Sequence, residues 1–145
     1  MEVLLGEARI TSPWTVAVTT SEGTRTLTTR AIVIATGGRP AVPAIPGIEQ
    51  VGYLSSDTVW GLRVLPKRLL VIGGGPIGCE LAQAFARFGS AVTQLQRGPR
   101  LLPREDPEIA ERVMARFRKE GIELRMGHTP LRFERAGEEM SLIHI

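Results

Sequence analysis

Arg68-Leu69-Leu70-Val71-Ile72-Gly73-Gly74-Gly75-Pro76-Ile77-Gly78-Cys79-Glu80-Leu81 is the stretch on which the reading of this chain turns. It opens with an apolar run of strand length and bends through glycines. It then enters a segment whose apolar residues, Leu81, Ala82, Phe85, Ala86 and Phe88, recur at helical spacing. Gly73, Gly75 and Gly78 fit G-x-G-x-x-G, and each has its own mechanical task. Gly73 permits the tight turn out of the strand, Gly75 lets a pyrophosphate approach the backbone, and Gly78 lets helix and strand pack closely. The bare N–H groups and the positive dipole end of the helix then face the phosphates, with Gly74, Pro76 and Ile77 completing the predicted pocket.

The surroundings of the motif strengthen it. The predicted helix stops at Gly89, a C′ glycine, and a second strand follows at Ala91–Gln96. The end of that strand lies about 20 residues past the motif, where a ribose-binding side chain belongs. Gln96 is therefore the predicted ribose neighbour, with Arg97 and Arg100 at the rim. A site selective for NAD usually carries Asp or Glu here, accepting hydrogen bonds from the ribose hydroxyls and repelling a 2′-phosphate. Gln96 hydrogen-bonds without charge, and either arginine can pair with a phosphate, so the expectation is an NAD(P)H site that slightly favours NADPH. A glycine-rich turn of another α/β protein, binding S-adenosylmethionine as a methyltransferase does, fits the motif by itself.

Composition bounds the alternatives. A chain of 145 residues is long enough for one domain or parts of two. Its net charge of +3 invites a nucleic-acid reading, but the arginines are spread out, acidic residues interleave with them in 104–125, and aromatics for base stacking are few. No nucleic-acid partner is expected. No run reaches the ~18 apolar residues of a membrane span, and no signal peptide opens the chain, so the expectation is a cytoplasmic protein without a membrane partner. Cys79 is the single cysteine, which excludes an internal disulfide and a cysteine metal cluster. His128 and His144 stand apart without carboxylate company, so no metal site is expected.

The rest of the chain supplies the frame. Residues 1–35 read as β: short pieces at Val3-Leu4-Leu5 and Ala8-Arg9-Ile10, an alternating strand from Trp14 to Thr20, and its hairpin partner Thr24–Thr28 beyond the turn Ser21-Glu22-Gly23. Ala31-Ile32-Val33-Ile34-Ala35 is continuously apolar and suits a strand covered on both faces. Pro40, Pro43, Pro46 and Gly47 make an extended connector. Ser55-Ser56-Asp57 offers a cap for a short helix through Thr58, Val59 and Trp60 that ends at Gly61. Asp106 caps a helix with Pro107 at its first position, an apolar face of Ile109, Val113, Met114 and Phe117, and Gly121 at its end. Ile122–Met126 follows as a third strand, and Leu131–Arg135 with Met140–Ile145 flank a hairpin turn at 136–139. The order over 68–126 is β-α-β-α-β, one mononucleotide-binding half of a doubly wound sheet. The fold expected is α/β: a Rossmann-like core with a β-rich N-terminal segment and a C-terminal β-hairpin.

Three stretches in order carry a family resemblance: Ala35-Thr36-Gly37-Gly38-Arg39-Pro40, Gly73-Gly74-Gly75-Pro76-Ile77-Gly78-Cys79-Glu80-Leu81-Ala82, and Arg100-Leu101-Leu102-Pro103-Arg104-Glu105-Asp106. Together they resemble flavin-dependent pyridine nucleotide-disulfide oxidoreductases of the mercuric reductase and dihydrolipoamide dehydrogenase type. In that family NAD(P)H passes hydride through FAD to a cysteine pair, and the complete enzyme is a homodimer. The resemblance implies that residues 1–45 are the tail of a split FAD-binding domain, 46–65 a linker, and 66–145 an NAD(P) domain without its last strand. The FAD-binding Gly-rich motif, the redox cysteine pair and the dimer domain of the family are not in this sequence, so the chain is similar to a fragment, inactive by itself. A non-catalytic, regulatory NAD(P)-binding module is the other reading. The resemblance places Ala35, Thr36 and Gly37 near FAD, and Glu80 at the family's helix glutamate beside the nicotinamide. The lysine that pairs with that glutamate is not in this chain, which also leaves Glu80 as a first-turn acid favoured by the helix dipole. Pro76 stands where some members carry a gating tyrosine, so that gating is not implied here. Cys79 is not a redox cysteine of the family.

Overall fold

The computed structural model describes residues 2–136 and 139–144. It divides into two units, Met1–Gly38 and Arg39–Ile145. The first is an antiparallel meander of β1 (Glu7–Ser12), β2 (Thr15–Thr20) and β3 (Gly23–Thr28), with β2 in the middle. The alternation in β2 buries Val18. Thr20 pairs with Gly23 across a two-residue turn, and the Thr20 hydroxyl accepts the Glu22 N–H at 3.1 Å. Val3-Leu4-Leu5 forms no strand, and Leu5 is exposed.

One expectation is overturned outright. Ala31–Ala35 is irregular, with Val33 87% and Ile34 70% exposed. A strand covered on both faces exists only when ladder partners and packing layers flank it, and among the described residues no strand pairs with this run.

The second unit is built on a parallel sheet, β4 (Arg68–Ile72), β5 (Ala91–Gln96) and β6 (Glu123–Met126), in the order β4-β5-β6. Helices α1 (Pro76–Phe88) and α2 (Pro107–Lys119) make the crossovers. Gly89 ends α1 with φ 106°, a conformation that costs a side-chain-bearing residue, and its N–H closes onto the Ala86 carbonyl at 3.0 Å. Asp106 caps α2 through its carboxylate, which accepts the Glu108 N–H at 2.8 Å, and Pro107 takes the first position. Cys79, Ala82, Val92, Leu101, Met114, Phe117 and Ile122 form the core. Two residues of the predicted apolar faces are exposed. Phe88 is turned away from Ala82 around the helix and is 69% exposed; Ile109 is 49% exposed, and Ala110 takes the buried place.

The connector carries two single turns of 3-10 helix, Ile48–Gln50 and Val59–Gly61, in place of the short helix expected after Ser55. The Ser55 hydroxyl accepts the Asp57 N–H at 3.3 Å. β7 (Pro130–Ala136) and β8 (Glu139–His144) pair antiparallel, and the Phe133 N–H reaches the Pro46 carbonyl at 2.8 Å. Gly137 and Glu138 of the predicted turn lie outside the described residues. Among the described residues no helix is long and apolar enough to cross a membrane.

Candidate functional site: the glycine turn between β4 and α1

The turn is held from below by hydrogen bonds. Gly73, at φ 108°, donates its N–H to the Leu95 carbonyl at 2.8 Å. Its carbonyl accepts from the Gln94 Nε2 at 3.0 Å. The Gly74 N–H donates to the Gln96 Oε1 at 3.1 Å. The Gly74 carbonyl accepts the Leu102 N–H at 2.6 Å and faces the Cys79 Sγ at 3.6 Å. Leu102 reaches it from φ 48°, a left-handed backbone rare for a leucine. Every polar backbone group of Gly73 and Gly74 is thus satisfied inside the protein.

The glycines differ in what a Cβ would meet. At Gly78 it would lie 2.6 Å from the Gly73 oxygen, so the helix can sit this close only without a side chain. At Gly74 it would lie 2.8 Å from the Leu101 Cδ2 and 3.1 Å from the Gln96 Cγ. At Gly75 it would meet nothing within 4 Å. The fold does not need a glycine at 75; the open space in front of it is what a glycine preserves. Gly75 is also the N-cap of α1 without a side-chain cap, and Pro76 at the first position removes one donor that would otherwise be orphaned. The N–H groups of Gly75, Ile77 and Gly78 find no acceptor among the described residues. Three donors, the positive end of a 13-residue helix and an open approach have the chemistry that attracts an anion.

Gly73, Gly75, Pro76, Ile77 and Gly78 line one end of a cleft of about 510 Å³. All five residues of β4 line it too, together with Val42, Tyr53 and Phe133. Gln96 lies off this cleft and touches the turn through Gly74. Arg97 is exposed, whereas Arg100 donates from its Nη2 to the Pro103 carbonyl at 3.0 Å and so braces its own loop. Glu80 is exposed on α1. Because the helix begins at Pro76, Glu80 sits beyond its first turn, which holds no acid, and the reading of Glu80 as a first-turn acid is corrected. Ala35, Thr36 and Gly37 belong to the first unit, where they are exposed and Gly37 has φ 70°. Cys79 is 6% exposed, and burial pushes its thiol above its ordinary pKa, the reverse of a reactive thiolate. Among the described residues no group of three His, Cys, Asp or Glu is placed to hold a metal.

Gln94 belongs to the turn's support although it lies outside the glycine motif. Its side chain is fully buried, and its Oε1 has no hydrogen-bond partner. The signal was present in the sequence: a glutamine inside a parallel strand whose flanks run apolar.

A family model for pyridine nucleotide-disulphide oxidoreductases matches residues 1–144. A mercuric reductase of Lysinibacillus sphaericus is 42% identical over 137 residues, which cover 94% of this chain and 24% of that protein. The chain spans about a quarter of the length of the curated relatives it matches. Among solved structures, the HOCl-induced flavoprotein disulfide reductase RclA from Escherichia coli superposes with a TM-score of 0.75 at 32% identity, over 96% of this chain and 32% of its own. An engineered water-forming NADPH oxidase, bound to NADPH, superposes with a TM-score of 0.68 at 26% identity, over 91% of this chain and 31% of its own.

Proposed function

The chain belongs to the pyridine nucleotide-disulphide oxidoreductase family, and from that premise we propose that it binds and orients the reduced nicotinamide coenzyme in an FAD-dependent oxidoreductase. When bound, the coenzyme supplies a hydride for the flavin, and in the complete enzyme the electrons pass to a cysteine pair that reduces a disulfide or mercuric ion. This chain's own part is to bind, orient and select. The observation that carries the reading is the open space at Gly75 beside three N–H groups without acceptors at the start of α1. The Gly75, Ile77 and Gly78 amides take the pyrophosphate. Gln96 stands at the ribose, and Arg97, which forms no ion pair among the described residues, is the side chain free to meet a 2′-phosphate. NADPH is the coenzyme this set favours.

The remaining roles belong to the complete enzyme. Residues 1–45 would form the tail of the FAD-binding domain, with Ala35, Thr36 and Gly37 beside the flavin, and 66–145 the coenzyme domain, with Glu80 beside the nicotinamide. A homodimer is the expected assembly. Gly75→Asp tests the binding role, because it sets a carboxylate where the pyrophosphate must lie. Fluorescence titration with NADH and NADPH should show saturable binding to the wild type and at least a ~100-fold weaker response in the variant. Equal binding by both proteins would refute the assignment.

A further inference from the structure

The Gly73 carbonyl and the Gly74 N–H belong to one peptide bond, and two side chains hold its two ends. Gln94 donates from Nε2 to the Gly73 oxygen at 3.0 Å, and Gln96 accepts the Gly74 N–H on Oε1 at 3.1 Å. Residues two apart on a strand project from the same face, so β5 presents both amides together beneath the turn. We propose that Gln94 and Gln96 act as a pair of positioning residues that lock the Gly73–Gly74 peptide plane, and that this lock fixes which edge of the Gln96 amide faces the coenzyme's ribose.

Three observations support the pair. Neither residue flanking this peptide has a Cβ to limit its rotation, so its plane is held only by what bonds to it. A half-turn of this plane would set its carbonyl against the Gln96 Oε1 and its N–H against the Gln94 Nε2, acceptor on acceptor and donor on donor. Next, Gln94 is an expensive way to fill a buried strand position. Its side chain is 0% exposed and leaves Oε1 without a partner, where a leucine would bury no polar atom of its own. The bond from its Nε2 to the Gly73 oxygen is what a leucine cannot supply. Finally, the amide orientations are forced. A backbone N–H can only donate, so the Gln96 Oε1 must face Gly74, and the Gly73 carbonyl can only accept, so the Gln94 Nε2 must face it. The Gln96 amide then has its Nε2 left over. A Cβ at residue 98 would lie 3.3 Å from that Nε2, so Gly98 keeps room beside it at the start of the loop that carries Arg97 and Arg100.

The outward edge of Gln96 is therefore a donor. A donor suits phosphate oxygens, which only accept, while a glutamate here would offer an acceptor and a negative charge. The lock thus joins two functions: it shapes the phosphate turn and biases the ribose end toward the 2′-phosphorylated coenzyme. This coenzyme half rests on the binding role proposed above; the lock itself does not.

The test separates the two. Gln96→Leu removes the acceptor, Gln94→Met removes the donor, and Gln96→Glu keeps an acceptor for Gly74 while replacing the outward donor with a carboxylate. Amide hydrogen exchange at Gly74, followed by NMR, should quicken about 5- to 10-fold in Gln96→Leu and in Gln94→Met, and stay slow in Gln96→Glu. Gln96→Leu alters a half-buried position, so it reports on the lock even if the core change at 94 unfolds the chain. Unchanged Gly74 exchange in Gln96→Leu would overturn the lock. In titrations of the same proteins, Gln96→Glu should weaken NADPH at least ~10-fold more than NADH, whereas Gln94→Met should weaken both by the same factor. Equal losses for both coenzymes in Gln96→Glu would overturn the outward donor. A wild type that binds neither coenzyme would overturn the binding role and the donor with it, and Gly74 exchange would still decide the lock.

Discussion

Substituting alanine at Gly75 and at Gly78 separates a glycine the fold requires from one the ligand requires. At Gly78 the new methyl would lie 2.6 Å from the Gly73 oxygen, and that oxygen is backbone, held by the Gln94 Nε2 at 3.0 Å. The contact cannot be relieved by turning a flexible side chain. Relieving it moves α1 off β4, at an overpacking cost of ~1–3 kcal/mol, and breaks the Gln94 bond, at about 1 kcal/mol more. Alanine's better helix propensity returns at most ~1 kcal/mol. The net expectation for Gly78→Ala is a loss of ~1–4 kcal/mol. At Gly75 the methyl enters open space, and φ −76° with ψ 176° is an ordinary extended conformation for alanine. The weaker N-cap and the lower entropy of the unfolded chain then nearly offset one another, leaving a change within ~0.5 kcal/mol. Urea denaturation followed by circular dichroism at the helix band reports the second unit, since α1 and α2 both lie there. Gly78→Ala should lower the midpoint with little change in slope, and Gly75→Ala should leave the midpoint in place while coenzyme affinity falls. A Gly78→Ala protein as stable as the wild type, or a Gly75→Ala protein destabilised as much, would refute the division of labour.

Other consequences are measurable in the same protein. Hydrogen bonds from Arg87 and Arg116, with a further one from Gln83, hold the Glu120 carboxyl down to about 2, well below its ordinary value. Its folded-state pKa is lowered, so its stabilising effect is present above the unfolded value and lost as pH falls from about 4.5 toward 2; Glu120→Gln should melt earlier at pH 6 and lose less between pH 5 and 3. The buried, protonated Cys79 should react with a thiol reagent only as fast as the second unit opens, so a rate equal to that of an unfolded peptide would contradict the packing of its Sγ against Gly74. Val33 and Ile34 form an exposed apolar run that should drive self-association, visible by light scattering at high concentration and reduced in a Val33→Lys, Ile34→Lys protein.

Much of the second unit is legible in its residues because its signals are local. Strand β5 begins and ends at Ala91 and Gln96 as its apolar pattern and flanking glycine and loop predict, and α2 starts at the residue that its Asp106–Pro107 pair specifies. The run 31–35 misleads because its composition states an affinity for burial and says nothing of whether partners are at hand. Phe88 and Ile109 are apolar by identity but fall off the buried faces of their helices, which a count of apolar residues at roughly helical spacing does not resolve. Within the site, the glycine spacing announces the turn, whereas the hydrogen bonds with Gln94, Gln96 and Leu102 that hold it depend on β5 and the loop after it meeting the turn, which no local pattern encodes.

In the proposed function the N–H groups at the start of α1 take the pyrophosphate of a nicotinamide coenzyme. The most direct measurement is a titration of the isotopically labelled chain with NADPH, following backbone amides by NMR. Saturable shifts should be largest at Gly75, Ile77 and Gly78, with Gln96 and Arg97 following along the ribose end. Shifts confined to other parts of the chain, or none at these three amides at saturating coenzyme, would contradict it.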